Sequence, residues 1–212
     1  MWRRYTYSDN VNDKIRRGKE FSEKLWNSHI EFIGISGSVS YNPQPEDDID
    51  IFLITKNGWL WVEILWAFIL RRMMGMGDIC LSLSVDRKGA LKLFRNLSSL
   101  QEKDAEHVIP VRGNEFYNAL LLETDRGKIK NRNETSLDHI GQKSEFTFME
   151  IANIFLFFLL YPLQKLKEIR FNSIHISKEP ELVYHILIGP NRLILDSEKY
   201  RTLSEYVGNY ND

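Results

Sequence analysis

The sequence predicts an α/β (α+β) fold, with a small mixed sheet, flanking helices and a helical C-terminal extension. Apolar runs of strand length at 31–35, 49–55 and 78–85 alternate with helical segments in the first half. The helix between the second and third runs is long enough for a right-handed crossover, which favours a parallel pair. Apolar segments of the second half are longer and read mostly as helices.

In order along the chain, Val11, Ile15, Phe21 and Leu25 form an irregular apolar face on an opening helix whose other residues are mostly charged. The first strand, 31–35, runs into Ser36-Gly37-Ser38. Pro43 and Pro45, beside Asn42, forbid regular structure and mark a loop. The second strand, 49–55, closes at Lys56-Asn57-Gly58. A helix over 59–74, stopped by Gly75 and Gly77, leads to the third strand at 78–85. Helices are expected at 88–96, at 116–122 after Gly113-Asn114-Glu115, and at 146–167. Between the last two, residues 128–142 are polar and read as an exposed linker or flap. Residues 182–187 fit a strand or a short helix. The expected organisation is one domain over 1–100 and a mainly helical extension over 101–212 that shapes an acceptor or partner site.

The 212 residues are 43% hydrophobic and 27% charged, with 28 basic against 29 acidic side chains, as in an ordinary folded protein. That balance offers no global field to a long polyanion. Cys80, the single cysteine, excludes an internal disulfide and a cysteine-rich metal site; within Ile79-Cys80-Leu81 it reads as a small buried apolar residue. No apolar stretch follows Met1-Trp2-Arg3-Arg4-Tyr5, so no secretory signal is read and a cytoplasmic location is expected. The apolar segments 59–70 and 151–163 fall short of the about 20 residues a spanning helix needs, and Glu63 interrupts the first. No membrane span is therefore expected. Their apolar faces are wide enough to serve a homo-oligomer or a protein partner.

The chemistry is concentrated in Gly37-Ser38 and Asp48-Ile49-Asp50. Strand residues two apart share a face, so Asp48 and Asp50 project together while Ile49 packs on the other side. Adjacent carboxylates repel, and a divalent ion bridging them to a polyphosphate offsets that repulsion, since magnesium takes oxygen ligands from one or two carboxylates plus phosphates. Glycine lets the backbone approach a phosphate closely, and Ser38 adds a hydroxyl donor. Along the third strand, Asp78, Cys80, Ser82, Ser84 and Asp86 are expected to share one face. A parallel strand begins beside Asp48, which favours Asp78 as a third acid; Asp86 lies roughly 26 Å away and suits a helix cap. Arg71 and Arg72 end a helix whose dipole they complement, and His29, His107, His139, His175 and His185 have no compact metal-ligand spacing.

The stretch Gly34-Ile35-Ser36-Gly37-Ser38, the loop, then Asp48-Ile49-Asp50-Ile51-Phe52-Leu53-Ile54 resembles the signature of the DNA polymerase beta-like nucleotidyltransferase superfamily, with residues 31–85 covered. Weaker similarity to stand-alone microbial nucleotidyltransferase-domain proteins extends to the helix following Gly113. The resemblance implies a nucleotidyltransferase fold and transfer of a nucleoside monophosphate from a nucleoside triphosphate such as ATP to a small-molecule, RNA or protein acceptor. It implies that Gly37 and Ser38 hold the triphosphate, that Asp48 and Asp50 bind Mg2+ or Mn2+, and that an acid on the next strand, here Asp78, completes the metal site and orients the acceptor. Two departures stand out. Many relatives carry a glycine where this chain has Asn42, and a serine where it has Asp47. A catalytically weakened nucleotide-binding or protein-interaction module of the same fold is the contrasting expectation.

Overall fold

The computed structural model describes residues 11–41, 47–95, 107–128, 148–176 and 183–197. In chain order these form α1 (Val11–Leu25), β1 (Ile30–Ser36), α2 (Ser38–Tyr41), β2 (Ile49–Thr55), α3 (Leu60–Met73), β3 (Ile79–Asp86), α4 (Arg87–Arg95), β4 (Ile109–Arg112), α5 (Asn114–Lys128), α6 (Phe148–His175), β5 (Tyr184–Gly189) and β6 (Arg192–Ser197). The six strands make one mixed sheet in the order β4-β1-β2-β3-β6-β5. β2 and β3 are parallel and joined through α3, as the crossover length predicts, whereas every other neighbouring pair is antiparallel. The segment left open between strand and helix is the strand β5, which forms a hairpin with β6.

The stretch beyond residue 100 is less separate than its helical pattern suggests. It contributes β4 to one flank of the sheet and β6 and β5 to the other, so a boundary at residue 100 divides the sequence but not the sheet. The proline-containing loop 42–46, and the linker expected at 128–142 apart from Lys128 at the end of α5, lie outside the described residues.

Two apolar cores lie on opposite faces. Ile33, Ile35, Ile49, Ile51, Leu53, Ile79 and Leu81 pack with α1, α3 and α6. Phe32, Phe52, Ile54, Leu83 and Val85 pack with Ala90 and Phe94 of α4 and Tyr117 and Leu120 of α5. Strand alternation explains this division along β1 and β2. In β3 it switches, because Asp50 pairs with Cys80 but Phe52 with Leu83, leaving one extra residue in β3. This bulge corrects the expectation that Asp78, Cys80, Ser82, Ser84 and Asp86 share one face.

The buried face of α1 keeps Phe21 and Leu25 of the apolar face read from the sequence and adds residues that are not apolar. It is Lys14, Gly18, Phe21, Ser22 and Leu25, at helical spacing. A Cβ on Gly18 would lie 2.8 Å from Ile35 Cδ1 and 3.0 Å from Ile49 Cγ2, so glycine sets how closely α1 meets the sheet. Glu63, which interrupts the apolar run of α3, is itself buried. Asn27 Nδ2 donates to its Oε2 at 2.8 Å, and burial raises the carboxyl's pKa against the pull of that bond.

α6 runs 28 residues, past the expected end at 167, and by length and composition is long and apolar enough to cross a membrane. The shortness expected of this segment does not hold. One side of α6 is tied to the protein: Trp61 N donates to Asn153 Oδ1 (2.7 Å), Asn153 Nδ2 to Pro190 O (3.1 Å), Lys165 Nζ to Ile186 O (3.1 Å) and Asn172 Nδ2 to Tyr184 O (2.8 Å).

Candidate active site

The antiparallel pairing of β1 with β2 brings the end of one strand to the start of the other, setting Ser36 opposite Asp50. The chain then turns at Gly37, whose φ is +68°. A Cβ there would lie 2.2 Å from Asp50 Oδ2, so only glycine allows the backbone to rest against this carboxylate. Ser40 pins the turn through its N–H and Oγ, which donate to Gly37 O at 3.0 and 2.7 Å. Ser38 begins α2 and is half-buried. Ser36 Oγ, fully buried beside Asp50, has no hydrogen-bond partner among the described residues.

Asp48 is exposed and Asp50 half-buried, at the start of β2, where the face covered further along by α4 and α5 at Phe52 and Ile54 opens. The chain entering this pair is held on both sides. Lys14 Nζ, itself buried, donates to Asp47 O at 2.8 Å, and Ile49 N donates to Asp78 O at 2.8 Å. Loss of solvation on its inner side raises the pKa of Asp48, and the Asp78 carboxylate adds to this, while Lys167, Arg71 and Lys14 oppose it. Asp48 keeps contact with water, which limits the effect.

Asp78 lies beside Asp48, as the parallel register requires, but its carboxylate is engaged. Arg17 of α1 clasps it with two parallel hydrogen bonds, Nη1 to Oδ2 at 2.5 Å and Nη2 to Oδ1 at 2.6 Å. The side chains are only 16% and 10% exposed. Among the described residues no group of three His, Cys, Asp or Glu side chains is gathered as a metal site, and the Asp78 carboxylate is taken up by Arg17. Cys80 sits opposite Asp50, where burial, and then the Asp50 carboxylate, push its thiol up to about 12 and leave it un-ionised at neutral pH.

At the far end of β3, Asp86 caps α4, accepting the Gly89 N–H at 2.7 Å. Burial pushes its carboxyl up to about 6 against that bond. Arg71, expected as a solvated helix end, donates to Ile79 O at 2.8 Å and so ties α3 to the start of β3. His29 stacks on Trp59 with ring centroids 3.4 Å apart.

Arg17, Lys14 and Ser36 were not singled out from the sequence. The helical spacing of Lys14 and Gly18 marks the inward face of α1, but the partner of Arg17 is 61 residues away and leaves no local signal. Comparisons of the chain with protein-family models, curated proteins and solved structures gave no match.

Proposed function

We propose that this chain is a metal-dependent nucleotidyltransferase that moves a nucleoside monophosphate from a nucleoside triphosphate to a small-molecule, RNA or protein acceptor. The observation that carries the reading is the Asp50 carboxylate set against the Gly37 turn, with Asp48 two residues before it at the open end of β2. This donor set fits Mg2+ or Mn2+, which takes one or two carboxylates and completes its shell with substrate phosphates. Asp48 and Asp50 would hold such an ion, and when bound it supplies charge neutralisation and polarises the reacting phosphate. Gly37 offers backbone without side-chain bulk, Ser38 a hydroxyl donor for the outer phosphates, and Ser36 an unspent hydroxyl beside them. Asp78 orients the acceptor oxygen only if Arg17 releases it. Otherwise the pair fixes the strand ends that carry Asp48.

The clasp on Asp78 favours one second reading, a nucleotide-binding or interaction module of weakened catalysis. Isothermal calorimetry tests the site common to both. Mg2+ or Mn2+ is expected to bind weakly alone and more tightly with a nucleoside triphosphate. Equal metal affinity with and without nucleotide, or no nucleotide binding, overturns the metal site.

A further inference from the structure

We infer that the outer face of α6 pairs with α6 of a second copy of this chain, antiparallel, about a two-fold axis near Phe158 and Leu159. Phe148, Ile151, Phe155, Phe158, Leu159 and Leu166 recur at helical spacing on the side of α6 turned away from the sheet, and each is 53–79% exposed. The opposite side carries the buried Asn153, Leu160 and Glu168. The sheet covers that inner side, and the apolar outer side is left as a second face wide enough to need a cover of its own.

At on the order of 100 Å² of exposed apolar surface per large side chain, the stripe presents roughly 600 Å² or more. Monomers rarely leave that much uncovered, and it approaches the roughly 800 Å² per partner of a standard interface. Charge placement selects the orientation. Residues 151–164 carry no charge, whereas the exposed Lys167 and Arg170 lie towards the C-terminal end. An antiparallel pair has its uncharged centre on the axis and its cations at opposite rims; a parallel pair sets like charges side by side. A two-fold contact needs one self-complementary patch, which such a centre supplies.

A bilayer fits less well. The hydrogen bonds of Asn153, Lys165 and Asn172 fix the inner side of α6 to the protein, so the helix does not cross a membrane while the fold is intact. An interfacial helix presents a Lys/Arg-rich polar face to water. In α6 the exposed Lys167 and Arg170 stand only towards one end, residues 151–164 carry no charge, and the chain's net charge is -1.

Sedimentation velocity of the full chain over a concentration series tests the pairing, with Leu159→Glu and Leu159→Lys as variants. A dimer is expected for the parent, and each variant should weaken it by about 100-fold or more through like charges at the axis. Mixing the two variants should restore a dimer, and far-UV circular dichroism spectra like the parent's would show that each still folds. A monomeric parent overturns the proposal, whether it stays in solution or floats with phosphatidylcholine–phosphatidylserine vesicles. A dimer insensitive to both variants, or variants that fail to recover on mixing while keeping the parent's circular dichroism spectrum, overturns it equally.

Discussion

The two ends of β3 each carry an aspartate, and the two are held in opposite ways. Asp78, at the start, is clasped by a cation and stands beside the exposed Asp48. Asp86, at the end, is buried at the N-terminus of α4 and held by the backbone N–H groups of Gly89 and Lys88, with its pKa raised to about 6. One end of the parallel pair sets an acid against a cation and leaves Asp48 open to solvent; the other shields its acid to hold a helix in place. Residue type alone does not separate these roles. Surroundings do, which is why the proposed chemistry belongs to the first end.

The largest effect that could break this contrast is catalytic. Replacing Asp48 and Asp50 together by asparagine should lower transfer of labelled α-phosphate by several orders of magnitude, because the anionic oxygens that anchor the metal are lost at nearly unchanged size. The measurement is single-turnover transfer with an acceptor that the parent enzyme uses. A double variant as active as the parent would place the chemistry elsewhere.

Next comes the clasp. Asp78→Asn leaves Arg17 largely buried without its counter-charge, and a loss of about 3 kcal/mol in unfolding free energy is expected from breaking such a pair. Arg17→Gln should cost a similar amount, and the double variant less than the sum. Urea denaturation of all three decides between a structural pair and a weak surface one. Additive costs would mean the pair contributes little as a pair.

The smallest effect sharpens the other end. Asp86 has a raised folded-state pKa, so between about pH 4 and pH 6 the folded protein binds the proton more tightly than the unfolded chain does. Stability from this group is therefore fully present below about pH 4 and is lost as pH rises through about 6. Asp86→Asn keeps an acceptor for the Gly89 N–H and removes the buried charge. The variant should match the parent near pH 4 and exceed it by about 1–3 kcal/mol at pH 7. Parallel denaturation curves for the two proteins across that range would refute the assignment.

The sequence made these ends unequally legible. β2 is a buried strand bounded by turn residues, so its limits, the Asp48–Asp50 spacing and the approach of Gly37 could all be read from local pattern. The cap formed by Asp86 was readable for the same reason, since it depends on residues three apart. The clasp was not, because Arg17 and Asp78 meet only when α1 packs beneath the sheet. β4 escaped notice because it has four residues and includes Pro110, which suits an edge strand but removes the usual apolar signal. The β5–β6 hairpin did carry a turn signal at Gly189-Pro190-Asn191 between two apolar runs. Its partner strand, β3, is distant in sequence, so nothing local announced that the sheet would grow there. The bulge in β3 arises from two unequal pairing intervals and has no counterpart in a single strand's alternation.

Asn153 gives the fold an order in time. α3 begins at Leu60 with no side chain from its own N-cap residue, Trp59, bonding back to its first turn. The Trp61 N–H in that turn is met instead by Asn153, 92 residues later. At roughly 5–20 residues per second, a ribosome adds that distance in about 5–20 s. Throughout that interval the crossover helix between the two central strands has emerged without the group that completes its start, and β3 without β6 along its outer edge. The nascent first half is thus expected to lean on chaperones or on rapid elongation until α6 arrives, and slow synthesis between Trp61 and Asn153 should lower the yield of folded protein more than equal slowing before Trp61.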